Sequence, residues 1–310
     1  MNDAGQGSLR QAITNANAIQ GKNKLKFIVA GTISLSSSLP QLVDASGIII
    51  DGENKITIDG NNAISTCFDI ESCKNVEIRN ITIQDFTTHG IYFVTYTSST
   101  DGGHIIDNVT LENVGTGIWI YNGIGVIIKN SNIRNCVNYG IFQARFSGLP
   151  AVIIDQNELS SNGYGIYIIN DYTDNTKILN NIIASSAYDG ICITTGPDNI
   201  VISGNEIANN TDSGIRLYGK GINNVTIRAN HIYGNIGNGI TVQGDYTHSG
   251  PQNVTIENNQ IYNNGIYTTG GVGIQIADAV YGSINYPAVV IANNSIYGLS
   301  LIHISEPTRP

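Results

Sequence analysis

Asp189 directly precedes the pair Gly190-Ile191, and Asp212 precedes Gly214-Ile215 by one further residue, in two segments that otherwise repeat each other. Arg216 follows at the second position after Gly214. On neighbouring strands the two carboxylates have Cα atoms expected about 6 Å apart. Such a pair can divide the acid and base roles of glycoside cleavage. A guanidinium beside them can instead neutralise charge next to a uronate in a lyase-like step. Against this stands a solvated Asp–Arg cluster with no chemistry. The candidate catalytic set is Asp189, Asp212 and Arg216.

The same Gly-Ile-x pattern carries a second candidate surface. Side chains alternate along a strand, so where Ile points inward the following residue points outward. Taken in order, that residue is Tyr92, Trp119, Phe142, Tyr167, Cys192, Arg216, Thr241 and Gln275, and the next outward column adds Tyr121 and Tyr218. Consecutive outward aromatics form a stripe on which sugar rings can stack. The candidate carbohydrate-binding residues are Tyr92, Trp119, Tyr121, Phe142 and Tyr167. Such columns also arise simply to stabilise stacked coils, and covering loops would then hide them; both readings stand.

What must position these residues is a repeat. Gly-Ile recurs at Gly90, Gly117, Gly140, Gly165, Gly190, Gly214, Gly239 and Gly273, at steps of 23–27 residues and one of 34. A column of Asn runs in phase with it at Asn157, Asn181, Asn205, Asn230, Asn259 and Asn294, each three residues after an Ile. A second polar column follows at Asn162, Ser186, Asn210, Asn235 and Asn264. Asparagines recurring at one turn imply turns stacked so that each amide bonds the next. Three short strands per repeat, stacked in register, make an all-β parallel β-helix solenoid of about ten coils, roughly 45–50 Å long. A leucine-rich horseshoe lacks its Leu spacing here, and a β-sandwich has no fixed phase. Near the start, Leu9, Ala12, Ile13, Ala16 and Ile19 follow helical spacing, with Ser8 and Gln11 in a capping-box pattern and Gly21 as a stop. An amphipathic helix there would lid the exposed end of the solenoid.

Composition narrows the partners. The net charge is −9 with no basic run, which excludes nucleic acid and weakly disfavours polyanionic sugars. Cys67, Cys73, Cys136 and Cys192 fit no disulfide framework or zinc site and read as buried thiols. No stretch is long and apolar enough to span a membrane. The loop "NDYTDNT" offers Asp171 and Asp174 to calcium but lacks the spacing and Gly of an EF-hand, so a plain turn is expected, with no metal or cofactor.

These coils resemble the right-handed parallel β-helix of the pectin-lyase-like superfamily. The segments "NDAGQGSLRQAITNANA", "ISLSSSLPQL" and "IIIDG" resemble the leader of large secreted or surface β-helix proteins of microbes. The resemblance implies the fold, an extracellular or cell-surface location, and a substrate groove on the Gly-Ile strand face. It leaves chemistry open, because lyases, hydrolases, epimerases, adhesins and stalks share the solenoid. His89 in "THGIYF" resembles part of the polygalacturonase Gly-His-Gly signature, with Thr88 in place of the first Gly, and is expected to be an ordinary turn residue. The remaining polygalacturonase signatures, the pectate lyase Trp-Ile-Asp-His and the epimerase Asp-Pro-His-Glu are missing.

Residues 299–309, "LSLIHISEPTR", resemble a translated sequencing adapter that interrupts a coil. The expected organisation is a capping helix over 1–23, the β-helix over 24–298, a non-native tail over 299–310, and an export signal lying outside this chain. The expected role is a structural or adhesive protein that engages a polysaccharide or cell-surface glycan through the aromatic stripe. The alternative is a polysaccharide lyase or glycoside hydrolase working in the same groove.

Overall fold

The computed structural model describes residues 3–71, 73–94, 102–121, 125–144, 151–169, 175–245, 250–265, 271–277 and 288–298. The tail 299–310 and the calcium candidates Asp171 and Asp174 fall outside them.

The chain is a right-handed parallel solenoid of about 9 turns, slightly fewer than the ten expected. A 9-stranded sheet forms one wall, and a 20-stranded sheet wraps the remainder. Every strand pairs in parallel with its counterpart one coil away, as with Ile154 beside Ile178 and Ile178 beside Ile202. Each regular coil contributes three short strands; residues 177–179, 182–184 and 191–194 make one such coil. Their inward positions are Ile178, Ile183, Ile191 and Ile193, all fully buried. One apolar column therefore stacks on the next, and coil-on-coil burial drives the assembly.

The corners explain the Asn-rich composition. At each of two corners per coil, one residue takes the left-handed conformation and the next turns inward. At the first corner the left-handed residues include Asn130, Gln156, Asn180, Asn258 and Asn293, with φ between 51° and 56°. Asn tolerates this region better than most residues. The residue after it builds a ladder. Asn205 Oδ1 accepts from the backbone N–H of Asn181 at 2.9 Å and from its side-chain amide at 3.0 Å. Asn205 Nδ2 donates to the Ile178 carbonyl at 2.9 Å, and its own N–H donates to Asn230 Oδ1 at 3.0 Å. The second corner repeats the scheme with Asn210, Asn235 and Asn264. Ser186 interrupts that column, and its buried hydroxyl oxygen has no hydrogen-bond partner.

The recurrent Gly of Gly-Ile is required by close approach. A Cβ built on Gly190 would lie 2.7 Å from the Gly214 carbonyl oxygen and 2.8 Å from Asn210 Nδ2. The second ladder and the 9-stranded wall meet there with no room for a methyl group.

At the N-terminus the helix Leu9–Ala18 buries Leu9, Ile13 and Ala16, and the Ser8 side chain accepts from the Gln11 N–H. The Gln11 side chain donates to Asn15 Oδ1 at 2.8 Å, so the expected capping box is only half formed.

Two substitutions test the ladder. Asn205→Ala strips the acceptor from both Asn181 groups and should cost roughly 2–3 kcal/mol in urea unfolding. A loss below about 0.5 kcal/mol would show the ladder to be dispensable. Ser186→Asn should complete the column and raise stability by about 1 kcal/mol, and any decrease would refute that repair.

Candidate functional site

The 9-stranded wall runs from Thr66–Glu71 through His89–Val94, Thr116–Tyr121, Tyr139–Ala144 and Tyr164–Ile169 to the shorter strands ending at Ile274–Ala277. Register aligns Tyr92 with Trp119, Trp119 with Phe142, Phe142 with Tyr167, Tyr167 with Cys192 and Cys192 with Arg216. The column read from the Gly-Ile pattern is thus a physical row of neighbours. Tyr121 stands beside Val94 and Ala144, one column over.

Its exposure differs from expectation. Phe142 is only 8% exposed, and Cys192 and Thr241 are buried at 3% and 2%. Tyr92, Trp119, Tyr121 and Tyr167 are half-buried. Beside Phe142 the cause is a second column at the position before Gly, formed by His89, Tyr139 and Tyr164, interrupted by Thr116 and extended by Tyr188 in the next turn. Thr241 instead packs against Ser213 and Asn238. Tyr139 and Tyr164 stack at 5.6 Å, and Tyr164 and Tyr188 at 4.8 Å. The columns interlock: Trp119 stacks on Phe142 at 4.0 Å, Tyr139 reaches Phe142 at 4.9 Å, and Tyr164 meets Tyr167 edge-on at 5.0 Å. The stripe is one layer of a continuous aromatic wall. The signal was present in sequence, since the residue before Gly is repeatedly aromatic.

His89 belongs to this wall and is no turn residue. It opens the strand His89–Val94, stacks on Tyr92 at 4.9 Å and meets Trp119 at 5.2 Å. Its Nδ1 lies 3.3 Å from Thr66 Oγ1. Burial lowers its pKa to about 4, so the ring is neutral at pH 7.

Asp189 takes the position before Gly190, where preceding coils carry Tyr139 and Tyr164, so the aromatic wall ends on charge. The structure brings together all three acid–base candidates. Arg216 Nε donates to Asp189 Oδ1 at 3.2 Å, and Arg216 Nη2 donates to Asp212 Oδ2 at 2.5 Å. The Ser213 N–H also donates to Asp189 Oδ1, at 3.0 Å. The two carboxylates are inequivalent. Asp189 is 2% exposed, whereas the Asp212 side chain is 46% exposed. A solvated cluster describes Asp212 but not Asp189. Burial raises the Asp189 pKa to about 6, the nearby Asp212 charge adds to the rise, and Arg216 opposes it. Burial also pushes the neighbouring Cys192 thiol upward and Tyr164 to about 12, so both are protonated at pH 7. All four cysteines are buried and none is in a disulfide. Among the described residues no group of three or more His, Cys, Asp or Glu is placed to hold a metal, and no helix is long and apolar enough to cross a membrane.

Coils of this form, with ladder corners and a side-chain wall on one sheet, define the right-handed parallel β-helix class. The chain belongs to the right-handed β-helix region family, whose match covers residues 36–181 and 144–307. Among solved structures it resembles the A-module of the mannuronan C-5 epimerase AlgE4 of Azotobacter vinelandii. The TM-score is 0.74 at 18% identity, over 95% of this chain and 91% of that one. The AlgE6 A-module of the same organism gives a TM-score of 0.70 at 19% identity, over 94% and 82%. An alginate lyase of Paenibacillus sp. gives 0.58 at 17% identity, over 86% and 98%. At these identities the likeness establishes the fold alone. No curated protein sequence matches the chain.

The Asp189 environment makes a signed prediction. Its carboxyl is held above the unfolded value of 3.8, so its contribution favours folding at low pH and is lost as pH rises through about 6. Asp189→Asn removes that dependence. The stability of the variant relative to wild type should climb between pH about 4 and 6, by on the order of 1–3 kcal/mol. Thermal melts across that range check it; a constant difference would mean Asp189 titrates normally.

Proposed function

We propose that the 9-stranded wall is a polysaccharide-binding face of an extracellular or cell-surface solenoid. The observation that carries this is the aromatic wall itself, with half-buried Tyr92, Trp119 and Tyr167 on three of four successive coils, the buried Phe142 on the other, and His89, Tyr139 and Tyr164 buttressing them. Buttressing fixes the rings before a ligand arrives, which lowers the entropy cost of stacking a sugar on them. The named likenesses support a carbohydrate partner, since two are mannuronan epimerase modules and one is an alginate lyase.

A second reading has its own support. Asp189 is buried where the aromatic wall ends, its pKa is raised to about 6, and the exposed Asp212 lies across Arg216 from it. A carboxyl that exchanges its proton near neutrality beside a second, solvent-facing carboxyl is a pairing that glycoside cleavage uses. On that reading Asp189 is the acid, Asp212 the base or nucleophile, and Arg216 bridges the two while burial keeps the Asp189 proton.

Trp119→Ala should cut retention in polysaccharide-containing native gels at least tenfold, about 1.4 kcal/mol of binding. Unchanged migration would remove the wall as a binding face. For catalysis, Asp189→Asn should abolish release of new reducing ends or of unsaturated, ultraviolet-absorbing products. Full activity in that variant would exclude the assignment.

A further inference from the structure

The charges on the 9-stranded wall bear on which polysaccharide it accepts. Arg216 is the sole Lys or Arg borne on the described strands of that sheet. Its guanidinium is held by Asp189 and Asp212, and so is not available to a ligand carboxylate. Every other Lys or Arg on a described strand lies on the opposite sheet, among them Lys24, Arg79, Arg134 and Arg228, and the first three are tied to Asp51 or Glu112. Beyond the strand ends, Lys220 follows Tyr218 by two residues, and Arg145, outside the described residues, follows Ala144 in sequence.

Acidic groups are better represented. Asp69 aligns with Tyr92 and so continues the aromatic column, and Glu71 aligns with Val94. Asp69 Oδ2 accepts from Gln41 Nε2 at 2.8 Å, but its Oδ1 is buried with no hydrogen-bond partner. A lone acceptor beside a tyrosine calls for an O–H or N–H donor and repels a carboxylate. The neutral His89 ring supplies no compensating cation. At the far end of the wall the polar groups are uncharged: Ser213 and Thr241 hydroxyls lie 3.0 Å apart, and Asn238 Nδ2 donates to Thr241 Oγ1 at 2.9 Å and to Gln275 Oε1 at 2.7 Å. The whole protein adds a formal charge of −9, which repels a polyanion at long range.

From this we infer that the ligand of the wall is an uncharged polysaccharide, with hydroxyls as its hydrogen-bonding groups, and not a polyuronate such as the named structural relatives act on. The inference rests on the binding-face reading above. Aromatic faces take up the apolar faces of the sugar rings, and the exposed Gln275 presents a side-chain amide to hydroxyls. A uronate carboxylate set on each successive ring would meet Asp69, Glu71, Asp189 and Asp212 with Arg216 already engaged.

The test compares retention of the whole chain in native gels containing a neutral glucan, xylan or mannan with gels containing alginate or polygalacturonate, in wild type and Trp119→Ala. At least one neutral polymer should bind at least tenfold more tightly than either polyuronate at about 0.01 M salt. Raising salt to about 0.5 M should narrow that gap, because screening weakens repulsion while stacking persists. Asp212→Asn, at an exposed position, frees one side of Arg216 and should shrink the discrimination about threefold. Equal or tighter polyuronate binding that is lost in Trp119→Ala would overturn the uncharged-ligand inference and leave the binding face standing. Binding of any polymer that persists unchanged in Trp119→Ala, or no binding at all, would overturn the binding-face reading and this inference with it.

Discussion

A solenoid corner points backbone amides and carbonyls toward a core packed with apolar side chains. Everything else in this protein depends on how those groups are satisfied. From Asn157 and Asn162 onward, most corners answer with one left-handed residue followed by an inward Asn, whose carboxamide matches a backbone N–H and a carbonyl at once. In the earlier coils the same positions are apolar, at Ile81, Phe86, Val109 and Val114, and the Val109 N–H is met instead by Ser131 Oγ at 3.1 Å. A charged residue there would demand a counterion inside the stack. Ser186, where a hydroxyl replaces the amide, shows the cost directly in a buried oxygen without a partner.

Parallel pairing of each coil with the next fixes register on the 9-stranded wall, and from Ser131 and Cys136 onward the ladders lock the same coils at their corners. Outward side chains at one repeat position therefore line up from coil to coil. Rings stand on five successive strands or turns, with Trp119–Phe142 and Tyr139–Tyr164 stacked across coils. Glycine before each inward Ile completes the arrangement, since Gly190 sits against both the next coil and the Asn210 ladder. The core spacing thus dictates the ring spacing, and a ligand meets a surface that is already ordered.

The charged end follows from the same geometry. One residue of offset separates Asp189 and Asp212 in their repeats, and this sends one carboxylate under Arg216 and leaves the other in solvent. Identical chemistry acquires two environments, and burial, aided by the Asp212 charge, moves the proton affinity of Asp189 toward neutrality. The arrangement also consumes the wall's strand-borne cation, so both carboxylates and the charge balance of the wall depend on a single guanidinium.

Local information sufficed for the architecture. The 25-residue phase, the inward Ile columns, the Asn ladders and the N-terminal helix are all set by residues whose partners recur at a fixed distance along the chain, so periodicity reports them. Even the left-handed corner residue was visible, in doublets such as Asn180-Asn181 and Asn258-Asn259. The columns of Tyr92, Trp119, Phe142 and Tyr167 and the grouping of Asp189, Asp212 and Arg216 were likewise legible as neighbours. What sequence did not disclose was depth. Phe142 and Cys192 point outward yet are buried, His89 lies within a strand between aromatic rings, and Asp189 is enclosed while Asp212 is not. Those outcomes depend on how side chains from three consecutive coils lean over one another. Strand alternation assigns a side chain to a face, and only the packed tertiary structure decides how much water that face retains.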